Sequence, residues 1–350
     1  MNLYDCKPRM HARFRSGIAS LFSRSMAVAG LCLSLLACSD DAREQITEFP
    51  VEQELKGEGI APLNAYPGLY AIAAVGDKYL FTRAKSSHIF WVADGEFRMT
   101  DSLAVRGNGS NEFWAPLFMG ESGERDAQYY IRFLDRASQK YYEMPLVSHS
   151  TARLVDDLSG LEMRSRYIFQ LNDTSYIGAF DYDDSRLFTW NVPSNQVVLW
   201  DRLHDFRRND LENQMISQHL AALRPDKERI AVAYFNLPVL DIRKTDGETV
   251  VSLTVGEAVD PSDIDLQDPV DYFHTLHATE RYIYALYSGV EGRESGKHYV
   301  LIFDWDGKPL CRLGIQGAAD FTVDEKHNRI IVLNEDDTEF VGTAYQIPDF

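Results

Sequence analysis

The stretch Arg281-Tyr-Ile-Tyr-Ala-Leu-Tyr-Ser-Gly289 decides the fold together with His298-Tyr-Val-Leu-Ile-Phe-Asp-Trp-Asp-Gly-Lys-Pro-Leu310. Aromatic and β-branched side chains alternate along both stretches, and a period of two residues favours strands over a helix. Asp306-Gly307 supplies the left-handed backbone position that a tight hairpin turn requires. The two stretches therefore predict a β-meander: strand, loop, strand, tight turn and strand.

Weaker copies of this meander fill the rest of the chain. The strands that would begin each copy start near Leu69, Pro116, Arg166, Gln218, Asp271 and Gln316. Each interval between successive start positions leaves room for four short strands, which is the size of one propeller blade. We therefore predict an all-β fold, a six-bladed β-propeller over residues 47–350. A pair of sandwiches or a β-solenoid is the alternative, and the lack of long helical periodicity argues against a doubly wound α/β enzyme.

The sixth copy ends one strand short of a complete blade. Propellers commonly complete the last blade with a strand from the other end of the chain, and Ile46 to Leu55 is a strand-like segment without a partner in the first copy. We expect this N-terminal strand to close the ring. The polar stretch from Arg207 to Gln218 is expected to contain a short helix.

Residues 1–37 have the composition of an export signal. Five basic residues precede an apolar run, Met26 to Leu36, that is too short to span a bilayer. The basic region is long, which leaves Met1 and Met10 as alternative start residues. Leu35-Leu36-Ala37-Cys38 resembles the lipobox of bacterial lipoproteins, which implies cleavage before Cys38 and a lipid on its thiol. The alternative is an ordinary cleaved secretion signal with a chance cysteine.

Residues 38–46 are polar and lack periodicity, so they are expected to form a flexible tether. Within them, Ser39-Asp40-Asp41 resembles the acidic signal that sends Bacteroidota lipoproteins to the outside of the outer membrane. In enteric bacteria an Asp two places after the cysteine instead retains the lipoprotein at the inner membrane. We expect the protein in the cell envelope, with the outer membrane as the preferred location. The sequence does not assign it to either leaflet.

Charge restricts the partners. Removal of residues 1–37 leaves 30 basic against 52 acidic residues, a net charge of −22. Such a surface repels phosphate backbones and anionic head groups, so we expect no nucleic-acid partner and a membrane link through the lipid on Cys38. Cys311 would then be the only other cysteine, which excludes an internal disulfide, and its strand context predicts a small core residue.

The last two copies carry a family resemblance. The segment ending at Gly289, Phe303-Asp-Trp-Asp-Gly-Lys-Pro-Leu310, Phe321-Thr-Val-Asp-Glu325 and the lipobox together resemble the TolB-like six-bladed β-propeller lipoproteins of Bacteroidota. The resemblance covers essentially the whole mature chain. It implies a fold and a location, and it brings no catalytic residues.

Two glycine-containing loops are candidates for phosphate binding. The loop from Arg106 to Pro116 contains Gly-x-Gly, but a strand follows it where a dinucleotide loop would open a helix, so a connector between blades is expected. Gly292-Arg-Glu-Ser-Gly-Lys297 has the wrong spacing for a phosphate loop. Gly289 to Lys297 is nevertheless expected to be a long loop and a contact site.

Possible metal ligands are few. His274 and His277 are three residues apart on a predicted strand, where they point to opposite faces, so separate structural roles are expected. His219 and His274 lie near innermost strands and are candidates to face the central channel. Asp181, Asp183 and Asp184 are more consistent with a solvated turn than with a calcium loop.

The sequence thus predicts a lipid-anchored binding or scaffolding module of the cell envelope, with a protein or glycan partner. Cys38 is the one residue with an assigned role, and no catalytic, cofactor-binding or metal-binding residue is assigned. The alternative is a metal-dependent propeller hydrolase or lactonase, which requires several acidic or amide side chains that converge on an ion in the channel.

Overall fold

The β-meander expected around residues 281–310 is present in the computed structural model, which describes residues 43–181, 186–200, 209–334 and 339–350. Its three strands pair antiparallel, and Gly307 occupies the hairpin with a φ of +88°. The N–H of Gly307 donates to the carbonyl of Asp304 at 3.1 Å. A side chain at Gly307 would be strained, which explains the glycine at this position.

The strands follow one another along the chain. Three short ones come first: β1 (Glu44–Ile46), β2 (Val51–Glu54) and β3 (Glu58–Gly59). Blade one contains β4 (Leu69–Val75), β5 (Lys78–Arg83), β6 (His88–Ala93), β7 (Met99–Arg106) and β8 (Glu112–Phe113). Blade two contains β9 (Pro116–Arg125), β10 (Gln128–Asp135), β11 (Lys140–Pro145) and β12 (Arg153–Asp157). Blade three contains β13 (Ser165–Asn172), β14 (Ser175–Phe180), β15 (Leu187–Asn191) and β16 (Gln196–Leu199).

The second half repeats this order. Blade four contains β17 (His219–Leu223), β18 (Arg229–Tyr234), β19 (Val239–Lys244) and β20 (Thr249–Val255). Blade five contains β21 (Phe273–Ala278), β22 (Tyr282–Tyr287), β23 (Lys297–Asp304) and β24 (Pro309–Gln316). Blade six contains β25 (Ala318–Asp324), β26 (Arg329–Asn334) and β27 (Gly342–Gln346). The helices among the described residues are α1 (Asp210–Ile216) and α2 (Gly289–Ser295), with 3-10 turns at Ala61–Ala65, Leu158–Gly160, Pro261–Asp263 and Glu325–His327.

Six separate sheets make the chain an all-β six-bladed propeller, as expected. The innermost strands β4, β9, β13, β17, β21 and β25 begin within two residues of the predicted positions. Apolar cores lie between successive sheets; Phe90 of blade one and Phe133 of blade two, for example, pack edge to face with ring centroids 5.3 Å apart. The burial that stabilises the fold is therefore divided among the blade interfaces.

The N-terminal segment closes the ring, but not as predicted. The strand that completes blade six is β3, which pairs antiparallel with β27, and the segment Ile46 to Leu55 is not the closing strand. That segment is interrupted at Pro50, which has no N–H to donate to a ladder. Its two parts pair with different blades: β1 runs parallel to β20, and β2 runs parallel to β24. We call residues 44–59 the N-terminal strap.

Two local expectations have different outcomes. The short helix expected between Arg207 and Gln218 is α1, and the Asn209 side chain caps it by accepting from the N–H of Glu212 at 3.0 Å. The expectation of a loop from Gly289 to Lys297 is wrong, because α2 occupies residues 289–295 and the left-handed Gly296 caps its C-terminus. Glu44–Ile46, the last three residues of the expected tether, form β1.

Candidate functional site

A cavity of about 720 Å³ occupies the centre of the ring, and all six innermost strands contribute to its wall. Its lining includes residues of the turns that follow four of these strands, Gly76, Pro225, Glu280 and Glu325. The first residue of each innermost strand lies outside the lining. The central cavity therefore extends to the face that carries these turns, which we call the turn face.

A bulge in β9 shapes the wall at blade two. Phe118 pairs with Phe133 and Ser122 pairs with Ile131, so the three residues 119–121 lie opposite Arg132 alone. Gly120, in the middle of the bulge, has a φ of +88° and is exposed. Bulges bend a strand and redirect its side chains, and this one brings residues 119–121 into the cavity wall.

Glu121, in this bulge, is the acidic residue of the blade-two wall. The hydroxyl of Tyr141 and the N–H of Gln170 donate to its carboxylate, the latter at 3.0 Å. Burial raises the pKa of Glu121, although these two hydrogen bonds and the positive charges of Lys227 and Arg132 oppose the rise. Lys227 also lines the cavity, and its ammonium interacts electrostatically with Glu121.

Arg132, by contrast, is held in place. Glu143 is almost fully buried and binds the guanidinium groups of Arg125 at 2.7 Å, Arg132 at 3.0 Å and Arg153 at 3.0 Å. Burial by itself would raise the pKa of Glu143, but these hydrogen bonds outweigh it and lower the pKa to about 2. The other end of the Arg132 guanidinium donates to Gln170. A fixed guanidinium thus forms part of the cavity wall.

Polar groups on the opposite wall join the first and last blades. Asp320 of β25 accepts from the N–H of Ile72 at 2.8 Å and from the hydroxyl of Thr275 at 2.8 Å. Thr322 accepts from the N–H of Ala74 at 2.9 Å. Burial raises the pKa of Asp320 to about 6, and the hydrogen bonds limit the rise. Both oxygens of Asp320 already have donors, so its role here is to hold blades together.

His277 lines the cavity beside this junction. Its Nε2 lies 2.5 Å from the carbonyl of Phe321, and its ring packs edge to face on the Phe321 ring. Burial lowers the pKa of His277 to about 4, with the hydrogen bond to the carbonyl opposing the change. The ring is therefore neutral at pH 7, and its Nε2–H donates to the carbonyl.

The other two candidate histidines, His219 and His274, lie outside the cavity lining. His274 contacts the Ser288 hydroxyl at 2.7 Å, so His274 and His277 have the separate structural roles expected of them. His219 lies between blades three and four, where it contacts the Tyr167 hydroxyl at 2.6 Å and the Ser217 carbonyl at 2.9 Å. The expectation that His219 and His274 face the channel is wrong. Both lie at the beginning of an innermost strand. There His219 contacts a neighbouring blade, and His274 contacts a residue of its own blade.

The remaining candidates are structural or lie outside the described residues. The loop from Arg106 to Pro116 is a connector between blades, as expected, and Glu112 accepts from the N–H of Gly109 at 2.7 Å. Cys311 is buried, and burial raises the pKa of its thiol to about 11. Asp183, Asp184, Cys38 and the signal at residues 1–37 are not among the described residues.

Sequence reasoning missed Glu121, Arg132 and Asp320, because no short motif contains them. The sequence did contain one signal for Glu121. Gly120-Glu-Ser-Gly123 lies inside a predicted strand, and glycine inside a strand often marks a bulge or a close approach. Arg132 and Asp320 had no comparable local signal, since their partners are distant in sequence.

Two features are absent from the residues that the structure describes. Residues 43–181, 186–200, 209–334 and 339–350 contain no group of three or more His, Cys, Asp or Glu side chains arranged to hold a metal ion. No helix in the same ranges is both long enough and apolar enough to cross a membrane.

Comparison with solved structures finds similar proteins at low identity. Regucalcin from Agrobacterium tumefaciens, described as a calcium-binding protein, is 13% identical over 85% of this chain and 95% of its own, with a TM-score of 0.48. A protein of unknown function from Bacteroides thetaiotaomicron is 10% identical over 85% and 75%, with a TM-score of 0.49. A duf4221 family member from Bacteroides vulgatus is 10% identical over 77% and 88%, with a TM-score of 0.46.

No curated protein sequence matches the chain. A family profile does: the one described as TolB-like 6-blade propeller-like matches residues 84–326, well over half of the 350 residues. The match extends from blade one into blade six of the structure. The chain therefore belongs to the TolB-like six-bladed propeller-like family.

Proposed function

We propose that this protein is a lipid-anchored binding module of the cell envelope, and that its ligand enters the central cavity. The observation that carries the proposal is the cavity itself, whose volume of about 720 Å³ lies within the range of about 300–1,000 Å³ typical of small-molecule sites. Its wall combines apolar side chains with a few fixed polar groups, as such sites do.

The polar groups favour a ligand with both hydrogen-bond donors and acceptors. Lys227 and Arg132 offer donors at one part of the wall, and Glu121 offers acceptors beside them. Tyr130, stacked against Arg132 with 5.5 Å between guanidinium carbon and ring centroid, adds an aromatic surface. Sugar rings present hydroxyls that donate and accept, and C–H faces that pack on aromatic rings. A short glycan is the ligand that we propose.

Binding is tested with a panel of neutral and acidic oligosaccharides of two to six sugars, titrated calorimetrically into the full-length protein in detergent. Ser122 is exposed and lines the cavity at the turn face, so Ser122→Trp should block entry and abolish binding. Ser110→Trp makes the same change on the exposed loop between blades one and two and should bind as the wild type does. Equal binding by both variants, or no binding by the wild type, would contradict the proposal.

The anchor is a separate part of the proposal and rests on Leu35 to Cys38. Replacing Cys38 with Ala should move the protein from the membrane fraction to the aqueous fraction, because a lipid chain contributes about 0.8 kcal/mol per buried methylene. Unchanged partition would refute the lipid anchor and leave the cavity proposal standing. We propose an outer-membrane location on the basis of Ser39-Asp40-Asp41, and separation of the two membranes tests it.

The hydrolase or lactonase alternative depends on a channel metal, for which the described residues offer no cluster of ligands. A bound ion would raise the melting temperature in proportion to RT ln(1+[L]/Kd). A clear rise with millimolar Ca²⁺, Mn²⁺ or Zn²⁺ would favour that alternative over the binding module.

A further inference from the structure

The outer edges of the blades differ in whether a further strand pairs with them. A short segment of this same chain pairs as a fifth strand with the outer strand of blade one (β8 on β7), blade four (β1 on β20) and blade five (β2 on β24), whereas β3 is itself the fourth and outermost strand of blade six. In the part of the chain that the structure describes, no further strand pairs with β12 of blade two, β16 of blade three or β3 of blade six. Uncovered edges present unpaired N–H and C=O groups and are ready templates for another strand.

The three uncovered edges differ in chemistry. Strand β3 is only two residues long and exposes Glu58. Strand β12 carries charge at its exposed positions: Arg153 and Asp157 have side chains that are 60% and 42% exposed. Charges of this kind protect an edge against pairing. Strand β16 reads Gln-Val-Val-Leu and carries no charge, yet Val198 is 52% and Leu199 is 39% exposed. Blade three therefore has an apolar edge without that protection.

The hydrogen-bond pattern shows which groups of β16 are free to pair. The N–H of Trp200 donates to the carbonyl of Leu187 at 2.9 Å, directly across the antiparallel pair. Hydrogen-bonded and non-hydrogen-bonded pairs alternate along such a ladder, so Val198 bonds to Thr189. The N–H and C=O groups of Val197 and Leu199 then point away from β15, toward the open edge.

We propose that β16 is a docking strand that accepts an extended segment of another protein as the fifth strand of blade three. Outward backbone groups at alternate residues are satisfied by a second strand, and strand addition is an established mode of peptide recognition. The three fifth strands that this chain supplies, β8, β1 and β2, all run parallel to their neighbours. A parallel partner strand is accordingly expected at blade three.

Charge indicates the chemistry of the partner. The chain has a formal net charge of −18, so two copies repel each other, and a segment with basic flanks is attracted. The partner segment should carry β-branched residues at alternate positions, to pack beside Val198 on one face of the sheet, and Lys or Arg at its ends. This surface lies at the rim of the ring, and the proposal is independent of any ligand in the central cavity.

The test uses the full-length protein and an array of ten-residue synthetic peptides with Val, Ile or Thr at alternate positions and Lys at both ends. Array peptides that bind should slow hydrogen exchange of the Val197 and Leu199 amides, while the Val198 amide, already bonded, should change little. Leu199→Pro removes one outward N–H and no ladder bond, so the fold should persist. Its affinity for the peptides should fall at least tenfold, about 1.4 kcal/mol, through lost hydrogen bonds.

Leu199→Lys provides a second test, because a charge at the edge should also weaken binding at least tenfold without removing any backbone group. Leu154→Lys is the matched control: it places the same charge on the uncovered outer strand of blade two, at a side chain that is 46% exposed. It should bind as the wild type does. Failure of the array to bind, or equal effects of the two Lys variants, would overturn the proposal. Dimerisation of the wild type that Leu199→Lys abolishes would overturn it in favour of a second copy.

Discussion

His219 illustrates how burial governs a single residue of this fold. It lies between blades three and four with both ring nitrogens in contact with Tyr167 and Ser217. Burial lowers its pKa to about 4, while the hydrogen bond to Ser217 opposes the shift and the charge of Arg166 adds to it. Because an unfolded histidine titrates near pH 6.5, the unfolded chain binds more protons than the folded one between about pH 6.5 and pH 4.

Stability should therefore fall as the pH drops through this window. From pH 7 to pH 5 the free energy of unfolding of the wild type should decrease by about 2 kcal/mol more than that of His219→Gln. Asp320 acts in the opposite direction between about pH 6 and its ordinary pKa of 3.8, because its folded-state pKa is raised, and it does so equally in both proteins. Urea unfolding at several pH values measures the difference, and parallel curves would contradict the assignment.

At the scale of elements, the N-terminal strap connects three blades with a few residues. Between its first two strands, the buried ring of Phe49 packs edge to face on Phe303 of blade five with centroids 5.5 Å apart. Ile46 is buried in the same core, between blades four and five. Parallel pairing and these apolar contacts together hold the strap on the outer strands.

Phe49→Ala should reduce the free energy of unfolding by about 3 kcal/mol, because it removes a buried ring and leaves a cavity. Guanidinium unfolding followed by tryptophan fluorescence measures the change. The neighbouring Glu48 is exposed, so Glu48→Ala should alter stability by less than about 0.5 kcal/mol. If both variants were equally stable, the strap would contribute little to the fold.

For the whole molecule, the decisive junction is between the first and last blades. Residues 60–68 link β3 of blade six to β4 of blade one, and side chains supplement this link: Asp320 and Thr322 accept from the backbone of β4, and the Tyr79 hydroxyl donates to Asp324. These bonds lie in a low-dielectric interior, where an unpaired donor is costly. The ring should therefore open at this junction when they are lost.

Asp320→Asn should reduce the free energy of unfolding by about 1–3 kcal/mol, because the amide keeps one acceptor and turns an NH₂ group toward a donor. Thr275→Val removes only one of the donors to Asp320 and should cost less. Thermal unfolding followed by circular dichroism measures both variants. An Asp320→Asn protein as stable as the wild type would show that the junction does not depend on this carboxylate.

The blades were predictable because their signals are local. Alternation of apolar residues and turns such as Asp306-Gly307 act within a few residues, and they located every innermost strand. The candidate site was much less predictable. His277 was noted for its sequence spacing, but its contact with Phe321 joins blades five and six, and Asp320 finds its donors in blades one and five.

By itself, the sequence determined the class of fold, the number of blades and the hairpins, since strand periodicity and turn chemistry are properties of neighbouring residues. Only the tertiary structure decided the path of the strap, the helix at Gly289–Ser295, the bulge that places Glu121 in the cavity and the uncovered edge of blade three. These depend on which distant strands meet. Pairing between residues far apart in the chain is set by closure of the ring, and no local pattern encodes it.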